Sequence, residues 1–222
     1  MGETTTKNAE QREELSQVLR HRREKLEALR EKGIEPFAYN FDRTATAADA
    51  VSAFEEAEAG EDLSESGQGA RVRVGGRLVA WRDMGRSIFA HLEDATGRIQ
   101  LYFKKNVLGE DDFETLSLLD VSDWIGVEGP TFRTRTGEVT VQVESWTLLA
   151  KSLRPLPFGK VETDPETGER IVHSGFADQE TRYRQRYADL AVHPEVRDVF
   201  RMRSRVISAL RRFLDDEGFL EV

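Results

Sequence analysis

The stretch SIFAHLEDATGRIQLYF, residues 87–103, reads as two short strands around a tight turn. Ile88, Ala90 and Leu92 share one face, while Phe89, His91 and Glu93 share the other. After the turn, Ile99, Leu101 and Phe103 form the apolar face, and Arg98, Gln100 and Tyr102 form the opposite one. The alternation therefore puts an aromatic ring, Phe89, on the face that meets water.

The same pattern extends on both sides of this hairpin. Strands are expected at Arg71–Trp81, Ser87–Asp94, Arg98–Phe103, Asp123–Thr131 and Glu138–Leu149, separated by the turn signals RDMGRS, EDATGR and RTRTGE. Asp111–Leu119 reads as a helix with Phe113, Leu116 and Leu119 on one side. Three strands, a helix and two strands is the order of a five-stranded OB-fold barrel, and Gly75-Gly76 suits the bend its long first strand needs.

Helices flank the strands. Ala9–Lys32 carries Leu15, Val18, Leu19, Leu26 and Leu29 at helical spacing, then Gly33 and Pro36 stop it. Its Arg20, Arg22, Arg23 and Lys25 either belong to a solvated face or touch an RNA backbone. Ala47–Glu58 reads as a short acidic helix before a loop. Lys151–Gln179, rich in proline and glycine, is expected to be a linker or surface insertion. A second long helix starts at His193-Pro194-Glu195 and ends at Gly218, with Val196, Val199, Phe200, Val206, Ile207, Leu210, Phe213 and Leu214 on its apolar face.

The 222 residues allow one large or two small domains, and 33% charged residues with a net charge of -9 indicate a soluble protein. No apolar run is long enough to span a bilayer, and the polar start, Met1–Gln11, lacks a secretory core. The absence of cysteine excludes disulfides and thiolate metal sites and fits a cytoplasmic protein. No phosphate-binding glycine loop or metal-ligand spacing is present, and His21, His91, His173 and His193 are scattered.

OB barrels commonly bind single-stranded nucleic acid or sugars on an outer sheet face, where bases stack on aromatics. Phe89 and Gln100 lie on that face, Glu138 opens the fifth strand, and Arg82 ends the first. Together they would form an aromatic platform ringed by hydrogen-bonding groups. The plainer alternative is that Phe89 covers a barrel patch beneath a loop. RYRQR, residues 182–186, either grips phosphates or a carboxylate or anchors a hinge.

Residues 180–222, ETRYRQRYADLAVHPEVRDVFRMRSRVISALRRFLDDEGFLEV, resemble the entry to the catalytic domain of class II lysyl-tRNA synthetases. RREKLEALREKGIEPFAYNF near the start, GRIQLYF and SLRPLP resemble the same family. The resemblance implies an anticodon-binding barrel followed by a catalytic domain. It implies that Phe89 stacks on the central anticodon base, that Gln100 reads it, and that Arg82 and Glu138 complete the site. FLEV resembles the start of the motif that forms the dimer interface, so Val199, Arg203, Val206, Leu210 and Phe213 are expected there. Aspartyl- and asparaginyl-tRNA synthetases share the barrel, and a free-standing OB-fold RNA-binding protein is the alternative outside the class.

The expected architecture is mainly β with flanking α: a helical extension (1–69), the barrel (70–151), a linker (152–181) and the start of a catalytic domain (182–222). The chain reads as a fragment ending inside the first catalytic motif. By the resemblance, its parent uses ATP, Mg²⁺ and lysine to charge tRNA-Lys as a homodimer, with the catalytic and metal residues beyond Val222. The fragment alone is expected to be inactive, and to bind no membrane and no cofactor. Val161–Ile171 stands as an insertion, and Ala188 replaces a residue that is usually leucine in the family.

Overall fold

In a computed structural model, residues 2–163, 170–173 and 176–222 are described, with side chains for 15–159 and 176–222. The strands are β1 (Gln68–Asp83), β2 (Ser87–Glu93), β3 (Arg98–Lys104), β4 (Trp124–Arg133), β5 (Val139–Val143) and β6 (Ser145–Ala150). They pair in the order β1-β2-β3-β5-β4-β6, and β1 also pairs with β4. That last pairing closes a barrel of β1 to β5, with β6 paired to β4 on one side. The polypeptide divides into two compact units, one through Pro155 and one from Leu156 onward.

The expected fifth strand is two strands. β5 pairs with the distal half of β4 and β6 with its proximal half, and the pairing slips by one residue between them, at Glu144. Gly129 stands opposite the slip, where a Cβ would lie 1.8 Å from the Gln142 carbonyl oxygen. Only glycine admits that approach, so the bend is written into β4 as much as into β5.

The alternation of residues 87–103 holds on the inner face. Ile88, Ala90, Leu92, Ile99, Leu101 and Phe103 are buried and join Val74, Leu78, Val127, Val141 and Leu148 in one core. In β1 the alternation is interrupted. The register shifts between Leu78 and Ala80, so Trp81 rather than Ala80 turns inward, against Phe103 at 5.7 Å between centroids.

Helices close the ends of the barrel. α2 (Ala47–Ala59) starts with a capping box formed by Thr46 and Asp49 and buries Ala47, Ala50 and Phe54. Its first N–H donates to Asp94 at 2.9 Å. Burial raises the Asp94 carboxyl, but hydrogen bonds from Thr96, Ala47 and Gly97 outweigh it and hold the group below the ordinary carboxylate range. The expected helix at Asp111–Leu119 is divided into α4 (Glu110–Thr115) and a 3₁₀ turn, Leu116–Leu118, and is preceded by a one-turn helix, α3 (Lys105–Leu108). Phe113, Leu116 and Leu119 are buried, as their spacing predicts.

α1 (Gly2–Glu31) lies along the barrel through its last turns, where Leu26 and Leu29 are buried. Leu15 and Val18 of the same stripe are exposed. Eleven residues of helix separate Leu15 from Leu26, about 16 Å, so the stripe outruns the surface that covers it. A network of charges fastens the docked end. Lys151 Nζ, with its side chain 0% exposed, donates to Asp123 (2.7 Å), Asp120 (2.6 Å) and the Leu118 carbonyl (2.8 Å). Lys25 reaches the other oxygen of Asp120 at 2.8 Å. Arg22 is buried and donates to the carbonyls of Ser152 (2.8 Å) and Val121 (3.0 Å). Arg22 and Lys25 are therefore structural; the RNA-contact reading of this helix survives only for Arg20 and Arg23, which are exposed. Burial raises the Asp123 carboxyl. Burial also raises Asp120, but bonds from Lys151 and Lys25 outweigh it and lower that group.

The second unit contains a hairpin of β7 (Lys160–Thr163) with β8 (Arg170–His173) and helices α5 (Gln179–Arg184), α6 (Arg186–Val192) and α7 (Pro194–Asp216). The segment expected to be a linker thus carries two paired strands at the two ends of the insertion, and residues 164–169 lie outside the described residues. Asp189, 0% exposed in its side chain, accepts from Arg182 Nε (2.7 Å) and Arg186 and lies 2.8 Å from His193 Nδ1. The arginines of RYRQR therefore grip a carboxylate of their own unit, while exposed Arg184 pairs with Glu180. On α7, Val199, Val206, Leu210 and Phe213 are exposed, the last at 61%.

Two consequences are measurable. Lys151→Met should destabilise the barrel unit by about 3–5 kcal/mol, because it leaves Asp123 buried without its cation while Asp120 keeps Lys25; urea unfolding checks it. Burial raises Asp189, but bonds from Arg182 and His193 outweigh it and depress the carboxyl in the fold. Its stabilisation is therefore complete above the unfolded carboxylate value, about 4, and is lost as pH falls through the depressed one. Amide exchange in α6 should accelerate over that acidic window, and Asp189→Asn should remove the dependence.

Candidate nucleic-acid interface

The outer face of β1, β2, β3 and β5 is laid out by strand register. One row runs Arg82, Phe89, Tyr102, Gln142; the next runs His91, Gln100, Thr140 and, on β4, Phe132. Residues in a row are nearest cross-strand neighbours, so each row is a contiguous strip of side chains. The slip in β1 is what places Arg82 on this face. Uninterrupted alternation from Val74 and Leu78 would have turned it into the core.

The first row is aromatic at its centre. Phe89 stacks on Tyr102, with centroids 4.7 Å apart and an interplanar angle of 25°. Tyr102 in turn meets Phe132 at 6.0 Å, tilted by 59°. Both Phe89 and Tyr102 are half-buried. One face of Phe89 rests on Tyr102, the ring directly across the hairpin.

The second row is polar and tightly bonded. Gln100 Nε2 donates to Glu138 Oε2 at 2.6 Å, and Thr140 Oγ1 donates to Gln100 Oε1 at 2.9 Å. His91 Nε2 lies 2.8 Å from Glu138 Oε1. Glu138 itself is placed by the turn before it. Thr134 N donates to the Glu138 carbonyl at 3.0 Å, and Glu138 N donates to Thr134 Oγ1 at 3.1 Å. Gly137 adopts φ 90, the left-handed conformation that glycine takes without strain. The TGE of the turn signal is therefore a device for presenting a carboxylate.

All four residues singled out from the sequence, Arg82, Phe89, Gln100 and Glu138, lie on or beside this one face. Gln100 differs from expectation in one respect: it is 8% exposed, because Glu138 and His91 close over it, whereas Glu138 remains 45% exposed in its side chain. The residues missed were Tyr102, His91 and Thr140. Their signal was parity, since each falls on the outer phase of its strand, but only the register shows which of them touch.

Positive charge flanks the aromatic end. Arg82 and Lys104, which shares a face with Tyr102, are exposed and make no ion pair among the described residues. Arg98 is paired with Glu93 at 2.6 Å and Arg133 with Glu58 at 2.6 Å. Among the described residues no group of three or more histidine or acidic side chains is arranged to hold a metal ion. No helix among the described residues is long and apolar enough to cross a membrane.

Residues 72–149 match an OB-fold nucleic acid binding domain, and residues 178–222 match class II tRNA synthetases of the D, K and N type. Over 95% of its length the chain is 46% identical to a lysine–tRNA ligase of Pelotomaculum thermopropionicum and 43% identical to one of Carboxydothermus hydrogenoformans. It is 41% identical to the lysine–tRNA ligase of Bacillus subtilis over the same share. The chain is thus homologous to lysine–tRNA ligases and spans 37–39% of the length of these relatives.

The stacked pair has a measurable energy. A double-mutant cycle with Phe89→Ala and Tyr102→Ala should give a coupling of about 0.5–1.5 kcal/mol in the free protein, the range for one aromatic pair; thermal unfolding of the four proteins reads it.

Proposed function

We propose that this chain supplies anticodon recognition to a lysine–tRNA ligase, and that its partner is tRNA-Lys. The observation that carries the proposal is the adjacency of the two rows: an aromatic platform beside a donor and an acceptor held in fixed relation. A base drawn onto Phe89 leaves one ring face for stacking, the other being taken by Tyr102. Its edge then meets Gln100 and Glu138, and Arg82 stands opposite Phe89 to meet the backbone or the base. Phosphates are drawn to this end by Arg82 and Lys104 despite the net charge of -9, since binding follows the local field.

For the whole protein we propose ATP-dependent formation of lysyl-adenylate and transfer of lysine to the tRNA 3′ end, in the cytoplasm. The relatives support lysine over the aspartate and asparagine alternatives, and the class II match at residues 178–222 weighs against a free-standing RNA-binding barrel. In this reading residues 1–69 are a helical extension, 70–151 the anticodon domain, 152–181 the connection and 182–222 the beginning of the catalytic domain. The exposed apolar stripe of α7, with Val199, Val206, Leu210 and Phe213 and the neighbouring Arg203, is the chain's part of a homodimer interface.

The test is binding of a stem-loop bearing a lysine anticodon. Wild type should bind it, and Phe89→Ala should cost about 1–3 kcal/mol of affinity, the scale of one base stack. Fluorescence anisotropy measures both, with the central uracil replaced as a control. Affinity that ignores both changes sinks the proposal.

A further inference from the structure

The amide of Gln100 has two ends of opposite hydrogen-bonding sense, and a half-turn about its last bond exchanges them. Strand geometry does not choose between the two orientations. Glu138 does: an ionised carboxylate only accepts, so the end 2.6 Å from its Oε2 is the NH₂ group. Thr140 is less selective. Its hydroxyl lies 2.9 Å from Gln100 Oε1, but it also has the Glu138 carbonyl at 3.1 Å as an alternative acceptor, and a hydroxyl accepts as readily as it donates. It would satisfy either orientation of the amide.

The carboxylate therefore sets the sense of the amide, and His91 holds the carboxylate. Its Nε2 lies 2.8 Å from Glu138 Oε1, and no other described side chain bonds that oxygen. His91 sits directly across β2 and β3 from Gln100. Glu138 follows a turn and is 45% exposed in its side chain, so without His91 it has other rotamers open to it.

We infer that His91 is a positioning residue that determines base specificity on this face, by holding Glu138 where it fixes the amide of Gln100. The inference rests on the anticodon reading given above. With the amide fixed, the face offers a donor N–H beside an acceptor carboxylate. A uracil edge offers the complement, a carbonyl oxygen beside N3–H. In the same pose cytosine sets an amino group against the donor N–H and an unprotonated N3 against the carboxylate, and is accommodated only when Glu138 moves away and the amide turns.

The test compares two stem-loops, identical except for a central uracil or cytosine, on the 222-residue chain. Wild type should prefer uracil. In His91→Ala that preference should fall roughly tenfold, within the range of one bidentate base contact. In Glu138→Gln it should fall similarly, because an amide there accommodates either orientation of Gln100. His91→Gln, which keeps a neutral donor, should restore most of the preference. A merely structural role for His91 would weaken both stem-loops alike, and an unchanged preference in His91→Ala overturns the inference while leaving the anticodon reading intact. Wild type that binds neither stem-loop overturns the anticodon reading and the inference with it.

Discussion

The parallel pairing of β5 with β3 is the contact on which the outer face depends. Residues 98–104 and 139–143 are about forty apart in sequence, and only this ladder sets Thr140 beside Gln100 and Gln142 beside Tyr102. It also brings Glu138, at the threshold of β5, within reach of a histidine on β2. Because the side-chain period of a strand is two, a slip of one residue here would send Thr140 inward and Val141 outward. The apolar run Val139, Val141 and Val143, all buried, forbids that slip. The core thus guards the register, and the register builds the polar row.

The barrel carries a second, quite different constraint. Lys151, Asp120, Asp123 and Lys25 place charge in a region with little water. Removing ions from water is expensive, and mutual attraction repays it only with good geometry and full hydrogen bonding. Here each carboxylate is bonded, the Asp120 and Ser152 N–H groups both serve Asp123, and Lys151 spends its three donors on two carboxylates and a carbonyl. The network ties α1, the segment before β4 and the chain leaving β6, which the hydrophobic core alone does not pin together. Directional bonds suit that task, since apolar packing would tolerate the helix at several rotations.

The second unit follows the same logic on a smaller scale. A short helical corner with little core is held by one buried carboxylate and the bases around it. Arg186 also lies over Tyr183 and Phe200, at 4.8 and 5.4 Å from the ring centroids, so its cation is used twice. The contrast with α7 is informative. There Val199, Val206, Leu210 and Phe213 face outward and are exposed.

Much of this was legible in residues 87–103. Alternation alone assigned Phe89 and Gln100 to the outer face and their neighbours to the core, because burial in a strand is periodic and local. Glycine and turn signals located the strand ends, and apolar residues at helical spacing located the long helices. What alternation could not read were its own interruptions. The slip near Val79 that turns Arg82 outward and the slip at Glu144 that divides the last strand are settled by pairing across the barrel, not by neighbours in sequence. The same limit explains why Arg22 and Lys25 looked like a solvated face: charge in a sequence says nothing of a partner a hundred residues away. The sequence by itself determined the central hairpin, its inner face and the candidate ring. Only the tertiary structure decided that Tyr102 backs Phe89 and that His91 and Glu138 close over Gln100, because those contacts are made between strands whose register only the closed barrel fixes.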